Sequence, residues 1–151
     1  MKVSLKATYG IMAALDLTVQ NGSAPVQAKA IARRQAIPLR FLEQVLHAMK
    51  RAGLVESLRG AQGGYRLNKK PSDVSLAEIV EALDGPLSSP SLSRGSTARR
   101  LHGQFKPDAL LANVWERVHQ AELSVLGVVT LKELAERQQQ LEQERTLMYH
   151  I

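Results

Sequence analysis

Residues 54–67, Leu-Val-Glu-Ser-Leu-Arg-Gly-Ala-Gln-Gly-Gly-Tyr-Arg-Leu, place two short apolar segments around a glycine-rich tip with one arginine. Strands at Leu54–Leu58 and Tyr65–Leu67 can pair only if the chain reverses between them, and Gly60, Gly63 and Gly64 offer positive φ at little steric cost. Arg59 then sits on the edge of the loop. A guanidinium there can enter a narrow minor groove, while glycines let the backbone approach phosphates. Taken alone, the segment could be an ordinary surface hairpin with a solvated arginine. The residues before it favour a wing that follows a helix-turn-helix.

Apolar residues recur at helical spacing from Leu5 to Gln20 (Leu5, Tyr9, Met12; Ile11, Leu15, Val19), and Asn21-Gly22 reads as a stop. A short helix over Val26–Ala32, with Ile31 toward the core, and a turn over Arg33–Ile37 follow. Pro38 fits the first position of a third helix, whose Leu42, Val45, Leu46 and Met49 form one buried stripe and which Gly53 ends. In a helix-turn-helix the second helix presents its first turns to base edges in the major groove. Leu39, Arg40, Glu43 and Gln44 are expected to be exposed there. Arg40 suits guanine, Gln44 adenine, and Glu43 the cytosine amino group. Glu43 could instead pair with His47 or Lys50.

Charge agrees. Residues 1–72 carry twelve Lys or Arg against three acids (Asp16, Glu43, Glu56), whereas residues 73–151 carry eight against eleven. A basic first half adds affinity for a polyanion through counterion release. The chain has no cysteine, which excludes disulfides and thiolate-ligated metals. No apolar run nears the roughly 20 residues of a membrane span, and the start lacks a signal-peptide core, so a cytoplasmic location is expected.

Farther on, Ser75 and Glu78 fit a capping box with Val74 and Ile79 as its staple, opening a helix to about Leu83 that Asp84-Gly85-Pro86 ends. Residues 1–85 read as one winged helix-turn-helix domain. Residues 86–107, rich in Ser and Pro with Arg94, Arg99 and Arg100, read as a flexible loop. Residues 108–151 read as a dimerisation helix and a C-terminal helix: Leu111, Val114, Val118, Ala121 and Val125 repeat at coiled-coil spacing, Gly127 is the expected break, and Thr130 and Glu133 form a second capping box. Leu134 and Leu141 lead into a glutamine-rich tail. The fold class is therefore mainly α with a small β wing.

Several elements coincide: Lys6-Ala7-Thr8-Tyr9-Gly10, residues 37–44 (Ile-Pro-Leu-Arg-Phe-Leu-Glu-Gln), Ala52-Gly53-Leu54-Val55, residues 59–67, and Thr130-Leu131-Lys132-Glu133-Leu134. Over nearly its whole length the chain resembles the Rrf-two family of bacterial winged-helix transcription regulators. The resemblance implies a homodimer joined by a long helix and bound to double-stranded DNA at a partly palindromic operator, and a repressor is the expected role. It places residues matching Leu39, Arg40, Phe41, Glu43 and Gln44 in the major groove and Arg59 in the minor groove. Arg51, Gly60, Gln62, Gly63 and Tyr65 complete the expected DNA-contacting set.

The departure from the family is equally specific. Many relatives hold an iron-sulfur cluster through three cysteines in the loop that here spans Pro86 to Lys106, where this chain has serines, which cannot replace thiolates. No cofactor is expected, and His102, His119 and His150 lack paired metal-ligand spacing. The loop arginines could receive an anionic metabolite or a protein effector. The alternative to a DNA-binding regulator is a winged helix that binds protein, which would favour a neutral recognition helix. An enzyme lacks support, because no nucleophile and base pair or phosphate loop occurs.

Overall fold

A computed structural model of the chain describes residues 3–20, 24–87 and 107–150. The elements run α1 (Leu5–Val19), α2 (Ala28–Gln35), α3 (Leu39–Arg51), β1 (Val55–Leu58), β2 (Gly64–Leu67), a 3-10 turn (Pro71–Asp73), α4 (Leu76–Asp84), α5 (Pro107–Val128) and α6 (Leu131–Tyr149). Helices surround α1, and the antiparallel pair β1–β2 projects as a wing with Val55 opposite Leu67 and Leu58 opposite Gly64. Asn21-Gly22 and most of the 86–107 segment, with its serines and arginines, lie outside the described residues.

The central helix buries an unexpected face. Ala7, Gly10, Ala13, Ala14 and Leu17 are buried, whereas Leu5, counted in the apolar stripe, is 59% exposed. Small residues face inward because α3, α4 and α6 all crowd α1, and backbones can approach closely only where side chains are short. A Cβ at Gly10 would stand 2.1 Å from Leu83 Cδ1.

The helix-turn-helix also shifts. The second helix starts at Ala28 and runs through Arg33, Arg34 and Gln35, residues expected in the turn. Val26 is extended, exchanging backbone bonds with Tyr65 in both directions at 2.8 Å. Arg34 and Gln35 stay helical because their side chains reach Asp16 on α1. The turn shrinks to three residues, with Ala36 left-handed at φ 52° and Pro38 as the N-cap of α3 rather than its first residue. Leu42, Val45, Leu46 and Met49 form the fully buried stripe of α3 as expected.

Ser75 and Glu78 make the reciprocal capping box at 3.3 and 3.2 Å. Thr130 Oγ1 accepts from the Glu133 amide at 3.3 Å, half of the second expected box. The two caps lie side by side: Leu76 N donates to Val129 O and Leu131 N to Val74 O, each at 3.0 Å. Leu131 is thereby fully buried in the core that α1, α3 and α4 share. Gly127 does not break α5, which continues to Val128. One glycine costs a helix only about 1 kcal/mol, less than the neighbouring turns return.

Candidate nucleic-acid interface

The stripe that buries α3 fixes what it displays. With Leu42, Val45, Leu46 and Met49 inward, Arg40, Glu43, Gln44, His47 and Arg51 are exposed. Arg40, Glu43, Gln44 and His47 line one open depression. Leu39 and Phe41, also expected at the DNA, are half-buried and pack on the core, Phe41 edge-on to Tyr9 with ring centroids 5.3 Å apart. They orient the helix start and leave only part of their surface for a ligand.

Among the described residues, Arg40, Glu43, Gln44 and Arg59 make no side-chain hydrogen bond or ion pair. Neither alternative partner holds Glu43, since Lys50 Nζ donates to Ser57 Oγ at 2.7 Å instead. Of the three acids in residues 1–72, Asp16 is ion-paired with Arg34 and Glu56 with Arg66, so Glu43 is the unneutralised carboxylate of the basic half. A bare carboxylate facing phosphates is repelled, and it discriminates between sequences by what it rejects as well as by what it binds.

The wing is fixed at its base and open at its tip. Tyr65 is half-buried, and its backbone bridges to Val26 and anchors the wing on the residues that lead into α2. Gly64, at φ 148°, leaves no room for a side chain, since a Cβ would come within 2.5 Å of the Val26 carbonyl. The tip closes with Gly63 N donating to Gly60 O at 3.0 Å. Gly60 has the expected positive φ, 112°, but Gly63 does not. Gly63 is required for space: a Cβ would lie 2.2 Å from the Leu58 oxygen. Arg59, Gly60 and Gln62 are exposed.

Two further details lie outside the expected site residues. His47 joins the exposed face of α3, a position that the 3.6-residue period alone could have revealed. The Lys50–Ser57 bond ties the last turn of α3 to the wing, and its signal, a Lys and a Ser seven residues apart across a turn, is too common to recognise.

On α5 the least exposed residues are His119, Glu122, Leu123 and Leu126, one face of a helix that packs on α4. The expected seam lies elsewhere and is open: Leu111 is 47%, Val114 46%, Val118 43% and Val125 60% exposed. No described helix is long and apolar enough to cross a membrane.

Residues 3–137 match the family model Rrf2, described as an iron-dependent transcriptional regulator. CymR of Bacillus subtilis, an HTH-type transcriptional regulator, is 33% identical over 136 residues, covering 89% of this chain and 90% of CymR. Its solved structure superposes with a TM-score of 0.74 at 31% identity, over 91% of this chain and 98% of that one. The IscR structure from T. potens gives 0.70 at 34% identity, over 91% and 88%. The iron of the family description finds no thiolate here, because the chain has no cysteine, and among the described residues no cluster of three His, Asp or Glu could hold a metal. The reading helix, the wing and the match along the chain all agree: this protein is a winged helix-turn-helix transcription regulator of the Rrf2 family.

Proposed function

We propose that the protein is a cytoplasmic homodimer that binds a partly palindromic operator and represses by occupying it, without a cysteine-ligated iron-sulfur cluster. The observation that carries this reading is the apolar seam of α5, exposed on a face other than the one that packs on α4. Pairing of two seams removes that surface from water and fixes two reading heads in one body. Each head then presents Arg40, Glu43 and Gln44 to a major groove and Arg59 to the flanking minor groove. Two-fold protein symmetry requires operator half-sites about 34 Å apart, one helical turn. The signal that governs occupancy is an anionic metabolite or a protein partner, received by the segment that contains Arg94, Arg99 and Arg100.

The test is selection of bound sequences from a random duplex library, with the mass of the selected complex measured in solution. A symmetric enriched site bound by two chains is the expected result. Binding indifferent to sequence, or a single chain on an asymmetric site, refutes the reading.

A further inference from the structure

The outer edge of the wing is joined to the body by one backbone pair, and that ladder stops a step short. In an antiparallel pair, residues whose backbone groups face the neighbouring strand alternate with residues whose groups face away. Asn68 N donates to Leu54 O across the hairpin, so along β2 the amides and carbonyls of Tyr65 and Leu67 point to the outer edge. Tyr65 uses both of its groups on Val26. Two residues on, the place opposite Leu67 falls to Ala24, but the chain diverges. Among the described residues, neither the amide nor the carbonyl of Leu67 meets a partner. A cavity of about 430 Å³ opens at this point, bordered by Ala24, Val26 and Leu67 together with Leu17 and Thr18 of α1. Its size lies within the roughly 300–1,000 Å³ of small-molecule sites.

The lining selects the occupant. Leu17, Val26 and Leu67 supply apolar surface. Both cations on the lining are already matched, Arg66 to Glu56 and Lys69 to Glu78, so the walls carry no excess charge and a simple anion or cation gains little. Thr18 Oγ1 donates to the Ala14 carbonyl at 2.9 Å and keeps only its acceptor capacity. An open amide and an open carbonyl on one residue suit a carboxylate and an ammonium held on one carbon. We propose that this cavity at the base of the wing binds an α-amino acid with an apolar side chain. Its carboxylate accepts from the Leu67 amide, its ammonium donates to the Leu67 carbonyl and to Thr18 Oγ1, and its side chain lies against Leu17 and Val26. The ligand takes the place that Ala24 leaves open and extends the pairing that Val26 begins, as an added strand residue would. This site is separate from the exposed face of α3, and its occupancy does not depend on how the protein reads DNA.

The experiment titrates the full chain, labelled with ¹⁵N, with leucine, valine, methionine and phenylalanine in turn, each as the free L-amino acid. At least one is expected to shift the Leu67 amide resonance and slow its hydrogen exchange, with a Kd of about 1 mM or tighter. The deaminated and the decarboxylated analogues of that amino acid should each bind at least about tenfold more weakly, because each leaves one Leu67 group unpaired. Ala24→Phe, a change at an exposed position, should fill the cavity and weaken binding at least about tenfold while the melting temperature stays nearly unchanged. A Leu67 amide that none of the four moves at about 10 mM refutes the inference. So does an analogue that binds as tightly as its parent, or binding that survives in Ala24→Phe.

Discussion

Asp16 on α1 and Arg34 on the last turn of α2 form a two-point ion pair, Nε to Oδ1 at 2.9 Å and Nη2 to Oδ2 at 2.7 Å. Gln35 adds a third donor at 2.9 Å. The pair holds the end of α2 against α1 just before the turn into α3. Its hydrogen bond with Asp16 raises the pKa of Arg34 above the usual guanidinium value and favours the charged form. Burial is lopsided, with 2% of the Asp16 side chain exposed against 37% of Arg34. Removing the arginine strands a buried charge, whereas removing the carboxylate leaves a cation that water can reach. Arg34→Met should cost about 3 kcal/mol and Asp16→Asn about 1 kcal/mol, read from urea unfolding. Equal losses would contradict this asymmetry.

Gly10 meets Leu83 so closely that α1 and α4 have no room for another methyl group. Gly10→Ala should therefore destabilise by about 1–3 kcal/mol despite the better helix propensity of alanine. Combining it with Leu83→Val should cost less than the sum of the two single changes, because the shorter side chain yields the space. A double-mutant cycle in urea measures that coupling, and strict additivity would place the crowding elsewhere.

This contact also shows where sequence reading stops. The buried stripe of α3 was legible because four apolar residues recur at one period with no competing stripe. On α1 apolar residues occupy most positions, so period alone could not say whether Leu5 or Ala7 faces inward; crowding by three neighbouring helices decides, and that is a tertiary fact. Arg33 to Gln35 looked like a turn because Asp16, the partner that keeps Arg34 helical, lies 18 residues earlier. At the interface, Arg40, Glu43, Gln44 and Arg59 were readable as unpaired polar groups on predictable surfaces. Tyr65 and Phe41 were not separable from them, since an aromatic ring suits either a core or a groove until its neighbours are known.

Glu78 carries the cap of α4 and also accepts from Lys69 Nζ at 2.7 Å. The Lys69 hydrogen bond, helped by the Ser75 amide and opposed by partial burial, holds its carboxyl below the usual range. A depressed folded pKa means that the stabilisation is present above the ordinary glutamate value and is lost as pH falls through the lower, folded one. Glu78→Gln should lose about 1 kcal/mol near neutral pH and should flatten the acid limb of the stability curve. Thermal melts of both proteins from neutral to acid pH provide the check. Curves that stay parallel through the acid limb would contradict the linkage.

Arg59 stands exposed at the wing tip with no partner among the described residues, so Arg59→Ala should leave the melting temperature nearly unchanged. Operator affinity should fall about tenfold, most on sites with A·T pairs under the wing, where a narrow minor groove concentrates negative potential. Titrations against operators that differ only in those flanks measure it. An equal loss on G·C flanks would make Arg59 a general phosphate contact.

The two faces of α5 allow assembly to be separated from folding. His119, Leu123 and Leu126 belong to the face that packs on α4, whereas Val118, 43% exposed, belongs to the open seam. A charge at Val118 thus meets water in the single chain but would be buried, unpaired, between two seams. Val118→Glu should keep the helical circular-dichroism spectrum and move the sedimentation mass from two chains to one. Losing the second head removes the effective-concentration advantage, so affinity for a full palindrome should drop by about 100-fold or more while affinity for an isolated half-site stays the same. If mass and full-site affinity both persist, the seam does not join the two chains, and the exposed apolar row of α5 must meet another surface.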